Sequence, residues 1–148
     1  MRKFLIAFVA VFIVTSVLSF LIHGVLLQPL YHETPQLLRG PADANAHAIF
    51  LMVGFFFFAL GFVWIYSYGV EAKPWAAQGI RYGIAVWLIA SVSRYVIYYA
   101  IQPWSMRVVL LQMTYELVMI VLLGLTVAAI YGNRISKPPA SVTGRAST

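Results

Sequence analysis

No cysteine occurs in the 148 residues, and charge is scarce: four acidic and ten basic side chains make up 9% of the chain. The first absence excludes disulfides, thiolate-bound zinc, iron–sulfur clusters and thiol catalysis. The second excludes an ordinary soluble domain, in which about a quarter of the residues are charged. Catalytic signatures are missing too, since the chain holds no Gly-x-Ser-x-Gly elbow, no zinc-protease motif and no phosphate-binding loop. Of its few carboxylates, Glu33, Asp43 and Glu71 fall between apolar runs.

What is present is apolar. Hydrophobic residues make up 62% of the sequence, and the mean hydropathy is +0.87. Four runs, at about 4–27, 46–68, 78–101 and 108–131, are each long enough to cross a hydrocarbon layer of about 30 Å. The expectation is an all-α membrane protein, a four-transmembrane-helix antiparallel bundle formed by residues 1–132. The first run is too long for a cleavable signal and is read as a retained span. Pro29, Pro35, Gly40 and Pro41 mark a long first loop, Pro74 a short second one, and Gln102-Pro103-Trp104 a turn. Residues 133–148, rich in Ser, Pro, Lys and Arg, read as a disordered cytoplasmic tail.

The net charge of +6 could suggest a nucleic-acid partner, but the basic residues are scattered at span ends and no helix carries a basic face. Topology explains them better. With both termini cytoplasmic, Arg2, Lys3, Lys73, Arg81, Arg134, Lys137 and Arg145 lie inside and only Arg39 and Arg107 outside, as the positive-inside rule requires. The interfacial aromatic residues divide consistently, with Trp64, Tyr66, Tyr68, Trp75, Tyr82 and Tyr131 at one end and Tyr31, Tyr98, Tyr99 and Trp104 at the other.

Lipid supplies no hydrophobic drive between spans, so helices associate where small side chains let backbones approach. In the third span Gly79, Gly83, Val86, Ala90, Ser93, Ile97 and Ala100 form a stripe expected to meet another helix. In the second, His47, Gly54 and Gly61 recur every seven residues and share a face, so helix packing is expected at Gly54, Gly61, Gly79 and Gly83.

One pair of ionisable residues lies inside the spans. A charge at helix centre costs about 2.5–3.5 kcal/mol and needs a partner or water. Counted outward from the Pro103 turn at 1.5 Å per residue, Arg94 and Glu116 differ in depth by only about 3 Å, so they can pair in the outer half of the bilayer. Thr15, Ser19 and His23 form a stripe on the first span, and Gln112 lies one turn from Glu116. Ser19, His23, Gln112, Tyr95, Tyr98 and Tyr115 are therefore candidates to line a polar pocket around the pair. The pair reads either as a structural lock between helices, with serines and threonines bonded to their own backbones, or as a ligand or proton site. His23, His32 and His47 raise the thought of a metal or haem, but no metal-ligand spacing occurs, and no metal or cofactor is expected.

His23-Gly24-Val25-Leu26-Leu27 closing the first span, the Gly69–Trp75 loop leading into Gly79-Ile80-Arg81-Tyr82-Gly83, and Tyr99-Ala100-Ile101-Gln102-Pro103 before the last hairpin together resemble a family of small bacterial four-span inner-membrane proteins. The resemblance covers the spans and not the tail. It implies a multi-pass protein of the inner membrane, and the family has no assigned activity, so no catalytic residue follows from it. Three function classes stand open. The first, and the one favoured here, is a non-enzymatic accessory, assembly or structural component, with membrane-protein partners or further copies of itself in the bilayer. The second is a carrier or binding protein for a small apolar or anionic ligand, and the third a haem- or quinone-linked redox protein.

Overall fold

A computed structural model describes residues 1–132, and every regular element in them is helical. Four long helices account for most of the chain: α1 (Arg2–Leu26), α2 (Ala48–Tyr68), α3 (Trp75–Ile101) and α4 (Met106–Gly132). Each is long and apolar enough to cross a membrane. Prolines set their limits, because the ring removes a backbone donor and disfavours helix in the residue before it. Pro29 follows the end of α1, Pro74 immediately precedes α3, and Gln102 is extended (φ −128°, ψ 145°) ahead of Pro103. The long first loop is more ordered than its composition suggests: it holds the short helices Gln28–Tyr31 and Pro41–Ala46, with a 3-10 turn at Pro35–Leu37 between them. The expected tail, 133–148, lies outside the described residues.

α4 is the centre of the assembly. Its buried positions, among them Val109, Gln112, Glu116, Met119, Ile120, Leu123, Gly124, Val127 and Ala128, recur at steps of three and four and meet both α1 and α3. α1 in turn packs against α2, so the helices follow one another around the bundle in the order α2, α1, α4, α3, with α3 and α2 meeting again through side chains at one end. All these neighbours run antiparallel. Lys3 Nζ donates to the Tyr131 carbonyl at 3.4 Å, which puts both ends of the described chain at the same end of the bundle.

The closest helix contact is between α3 and α4. A Cβ built on Gly79 would stand 2.6 Å from the Gly124 carbonyl oxygen, and one on Gly83 would stand 2.8 Å from Val121 Cα, so the two backbones touch where small residues allow it. Gly54 and Gly61 behave otherwise. A Cβ at either meets nothing within 4 Å, so the packing role expected for them is not filled within this chain. Their seven-residue spacing does place them on one face, but α2 turns that face away from α1. Over its first two turns α2 stands clear of the bundle, and Ile49, Phe50, Leu51, Met52 and Val53 are all exposed.

Two helices contain a π segment, Phe20–Leu26 in α1 and Leu88–Val92 in α3. Their effect is to hold a four-residue stripe against α4. In an α-helix each step of four drifts by about 40°, so a run of such steps would wind off the interface, and the extra residue of a π turn cancels much of that drift. In α3 the inward face consequently runs Gly79, Gly83, Trp87, Ser91, Tyr95. This corrects the expected stripe: beyond the π segment Ser93, Ile97 and Ala100 are exposed, and Ser93 Oγ donates to its own helix at the Ile89 carbonyl.

At the end bearing Met1 and Gly132, aromatic rings join the helices. Tyr82 of α3 meets Phe62 and Tyr66 of α2 edge-on at 4.7 and 5.1 Å between centroids, and Tyr66 meets Tyr131 of α4 at 5.6 Å. The Tyr82 hydroxyl donates to the Phe62 carbonyl at 2.5 Å. Tyr82→Phe is expected to cost about 1 kcal/mol, since a single hydrogen bond is lost and the ring contacts remain. Thermal unfolding in detergent checks this: Tyr82→Phe should melt lower than Tyr98→Phe, and equal melting temperatures would show that the bond does not tie α2 to α3.

Candidate functional site

Toward the opposite end of the bundle, α1, α3 and α4 converge on one carboxylate. Glu116 is 4% exposed. Arg94 Nη2 donates to Oε1 and Oε2 of Glu116, both at 2.9 Å. The Tyr95 hydroxyl donates to Oε1 at 2.5 Å, and the Ser91 hydroxyl to Oε2. A carboxylate offers about four lone-pair positions, and these four hydrogen bonds occupy them. All the donors come from α3. They reach Glu116 because the π segment turns Ser91 and Tyr95 to the same side, while Arg94 approaches from the rim with 45% of its side chain exposed.

A second chain of polar groups joins the first through His23. Gln112 Nε2 donates to the Tyr31 hydroxyl at 3.0 Å, and that hydroxyl shares a 2.6 Å hydrogen bond with His23 Nδ1. The Tyr31 oxygen thus accepts from Gln112 and is also joined to the His23 ring, linking the two side chains through one hydroxyl. Nε2 faces Glu116 Oε1 at 3.7 Å, beyond hydrogen-bond range but close enough for attraction. Burial raises the Tyr31 hydroxyl above its ordinary value, opposed by the Gln112 hydrogen bond and reinforced by the Glu116 charge, which keeps it a neutral donor. Trp104 closes over Tyr31 edge-on at 6.0 Å between centroids. His23 is itself carried by the π segment of α1, so both π segments serve the same carboxylate, in keeping with their usual place at special sites.

Of the residues expected around the pair, the structure gathers Arg94, Glu116, His23, Gln112 and Tyr95. Ser19 lies on the same face of α1 but points at α4 one turn away, with its hydroxyl 3.7 Å from Met119 Sδ. Tyr98 stands outside the cluster, 40% exposed and edge-on to Tyr95 at 6.4 Å. Tyr115 packs against the apolar core instead of the carboxylate. Neither lines a pocket with Glu116. Two members were not anticipated. Ser91 is one residue off the expected small-residue stripe and becomes visible only once the π segment is known, and Tyr31 has the look of an interfacial anchor in the sequence.

The other histidines are separate. His47 Nδ1 lies 2.8 Å from the Asp43 carbonyl and 3.0 Å from its carboxylate, which also pairs with Arg39 at 2.7 Å. His32 is exposed in the loop. Among the described residues no group of three or more His, Asp or Glu is arranged to hold a metal ion. No protein family matches the chain, and no curated protein or solved structure matches it either.

Proposed function

We propose that this protein is a non-enzymatic structural or accessory component of a membrane assembly, with the Glu116 cluster acting as an internal clamp. The observation that carries this reading is the occupancy of the carboxylate. Its four acceptor positions are taken by Arg94, Ser91 and Tyr95 of the same chain, so binding a cation or a proton would require breaking one of those bonds. The excess of basic residues at the end with the termini supports a cytoplasmic placement of both. The apolar, unpacked start of α2 supports contact with lipid, with another membrane protein or with a second copy.

A second reading has one observation in its favour. Arg94 Nε and Nη1 have no hydrogen-bond partner among the described residues, and His23 beside it is one-third exposed, so the rim of the cluster offers donors to a small anionic ligand. Purification of the full chain from native membranes separates the two. A defined set of polypeptides in fixed ratio is the expected result. A stoichiometric small anion or a chromophore, lost on Arg94→Gln, would overturn the clamp reading.

A further inference from the structure

Where α2 hands over to α3, at the end of the bundle bearing Met1 and Gly132, a cleft of about 310 Å³ opens between the helix ends. Tyr66 and Tyr82 form its walls, Glu71, Lys73 and Gln78 its loop side, and Arg81 completes the lining. The loop is held in place. Gln78 Oε1 accepts from the Glu71 backbone N–H at 3.0 Å, and its Nε2 donates to the Glu71 and Lys73 carbonyls at 2.7 and 2.8 Å. Lys73 is ion-paired with Glu71, and that hydrogen bond holds the Glu71 carboxyl below the usual carboxylate range, so the two charges cancel. Arg81 also acts on Glu71 at longer range, so two cations face one carboxylate and one positive charge is left in excess. Its guanidinium makes no ion pair or side-chain hydrogen bond among the described residues, and the Tyr66 hydroxyl likewise has no hydrogen-bond partner there.

The geometry points to a binding site for a phosphate ester in this cleft, supplied by the headgroup of an anionic phospholipid. A planar guanidinium without a partner among the described residues suits two phosphate oxygens, and Tyr66 lines the same cleft. The cleft is also amphipathic. Ile65, 62% exposed, continues its wall onto the outward apolar face of α2, so acyl chains attached to the phosphate have a surface to follow. The surrounding charge favours an anion, since Arg2 and Lys3 lie at the same end of the bundle. Basic pockets between spans at a membrane surface recognise anionic headgroups in this way, gaining about fivefold in affinity per basic residue.

The test uses the full chain in neutral detergent with equal amounts of dioleoyl phosphatidylglycerol and dioleoyl phosphatidylcholine, read as retained lipid by native mass spectrometry. Wild type is expected to retain phosphatidylglycerol about fivefold over phosphatidylcholine. Arg81→Gln should bring the ratio near one, Arg81→Lys should keep only part of it, since an ammonium retains the charge but not the planar fork, and Arg107→Gln, at the opposite end, should leave it unchanged. Arg81 carries no ion pair or side-chain hydrogen bond among the described residues, so a monodisperse Arg81→Gln protein with an unaltered melting temperature is expected alongside the lost preference. Equal retention of the two lipids by wild type would overturn the proposal, as would a preference that Arg81→Gln leaves intact. Displacement of phosphatidylglycerol by millimolar inorganic phosphate would overturn the lipid as the source and make a free phosphate the occupant.

Discussion

Arg94→Leu is expected to lower stability by about 2–3 kcal/mol and to cut the yield of folded protein sharply, while Glu116→Gln costs only about 1 kcal/mol. The asymmetry follows from burial. Removing Arg94 leaves a carboxylate that is 4% exposed with the Ser91 and Tyr95 hydroxyls as its remaining hydrogen-bond donors and the His23 ring 3.7 Å away, so a buried charge loses its cationic partner. Removing the charge of Glu116 leaves a guanidinium that is already 45% exposed and can turn outward to the interface. Arg94→Leu combined with Glu116→Leu should recover to within about 1 kcal/mol of wild type, because neither charge is then left alone and two hydroxyls are the only groups to re-pair. Melting temperature and monodisperse yield in detergent provide the readout. A double variant as poor as Arg94→Leu would mean that the pair does more than lock the helices, and an undisturbed Arg94→Leu protein would remove the clamp altogether.

The parts of this architecture that were legible in the sequence are those that depend on length alone. Apolar runs and the prolines between them mark the four helices to within a few residues, and counting at a fixed rise per residue matched the depths of Arg94 and Glu116. Features that depend on angle were not legible. A π segment adds one residue to a turn without any compositional mark, so Ser91 lay off the face on which the small residues Ala90 and Ser93 were expected to sit. The same shift exposed Ile97 and Ala100 and brought Tyr95 inward. Nor does periodicity say which face of a helix is the inner one: Gly54 and Gly61 do share a face, but it faces outward, because a glycine toward lipid reads the same as a glycine toward a helix. Tyr31 was missed for a different reason. Its partners His23 and Gln112 lie 8 and 81 residues away in the chain, and only the folded short helix Gln28–Tyr31 brings its hydroxyl under the loop and over the cluster.

Gly124→Ala is expected to do at least as much damage as Arg94→Leu, although it adds a single methyl group. The new Cβ would stand 2.2 Å from the Gly79 carbonyl oxygen and 3.1 Å from the Gly83 nitrogen, and both neighbours are backbone atoms that no side-chain rotation can move aside. The helices would have to part by about 1 Å to restore normal contact distances, which forfeits dispersion along the whole α3–α4 seam. Parting them also lengthens every bond that spans the seam: Trp87 Nε1 to the Met113 carbonyl, now 2.9 Å, and the three donors on Glu116. A cost of about 3 kcal/mol is expected, at the upper end for overpacking by one methyl. Gly54→Ala and Gly61→Ala serve as internal controls, since their methyls enter open space and relieve glycine's backbone entropy, leaving stability unchanged or raised by up to about 0.5–1 kcal/mol. Melting temperatures of the three single variants decide the matter. A Gly124→Ala protein that melts with wild type would show that the backbones do not touch there, whereas a fall at Gly54→Ala or Gly61→Ala would show that the outward face of α2 is covered by another helix in the assembled protein.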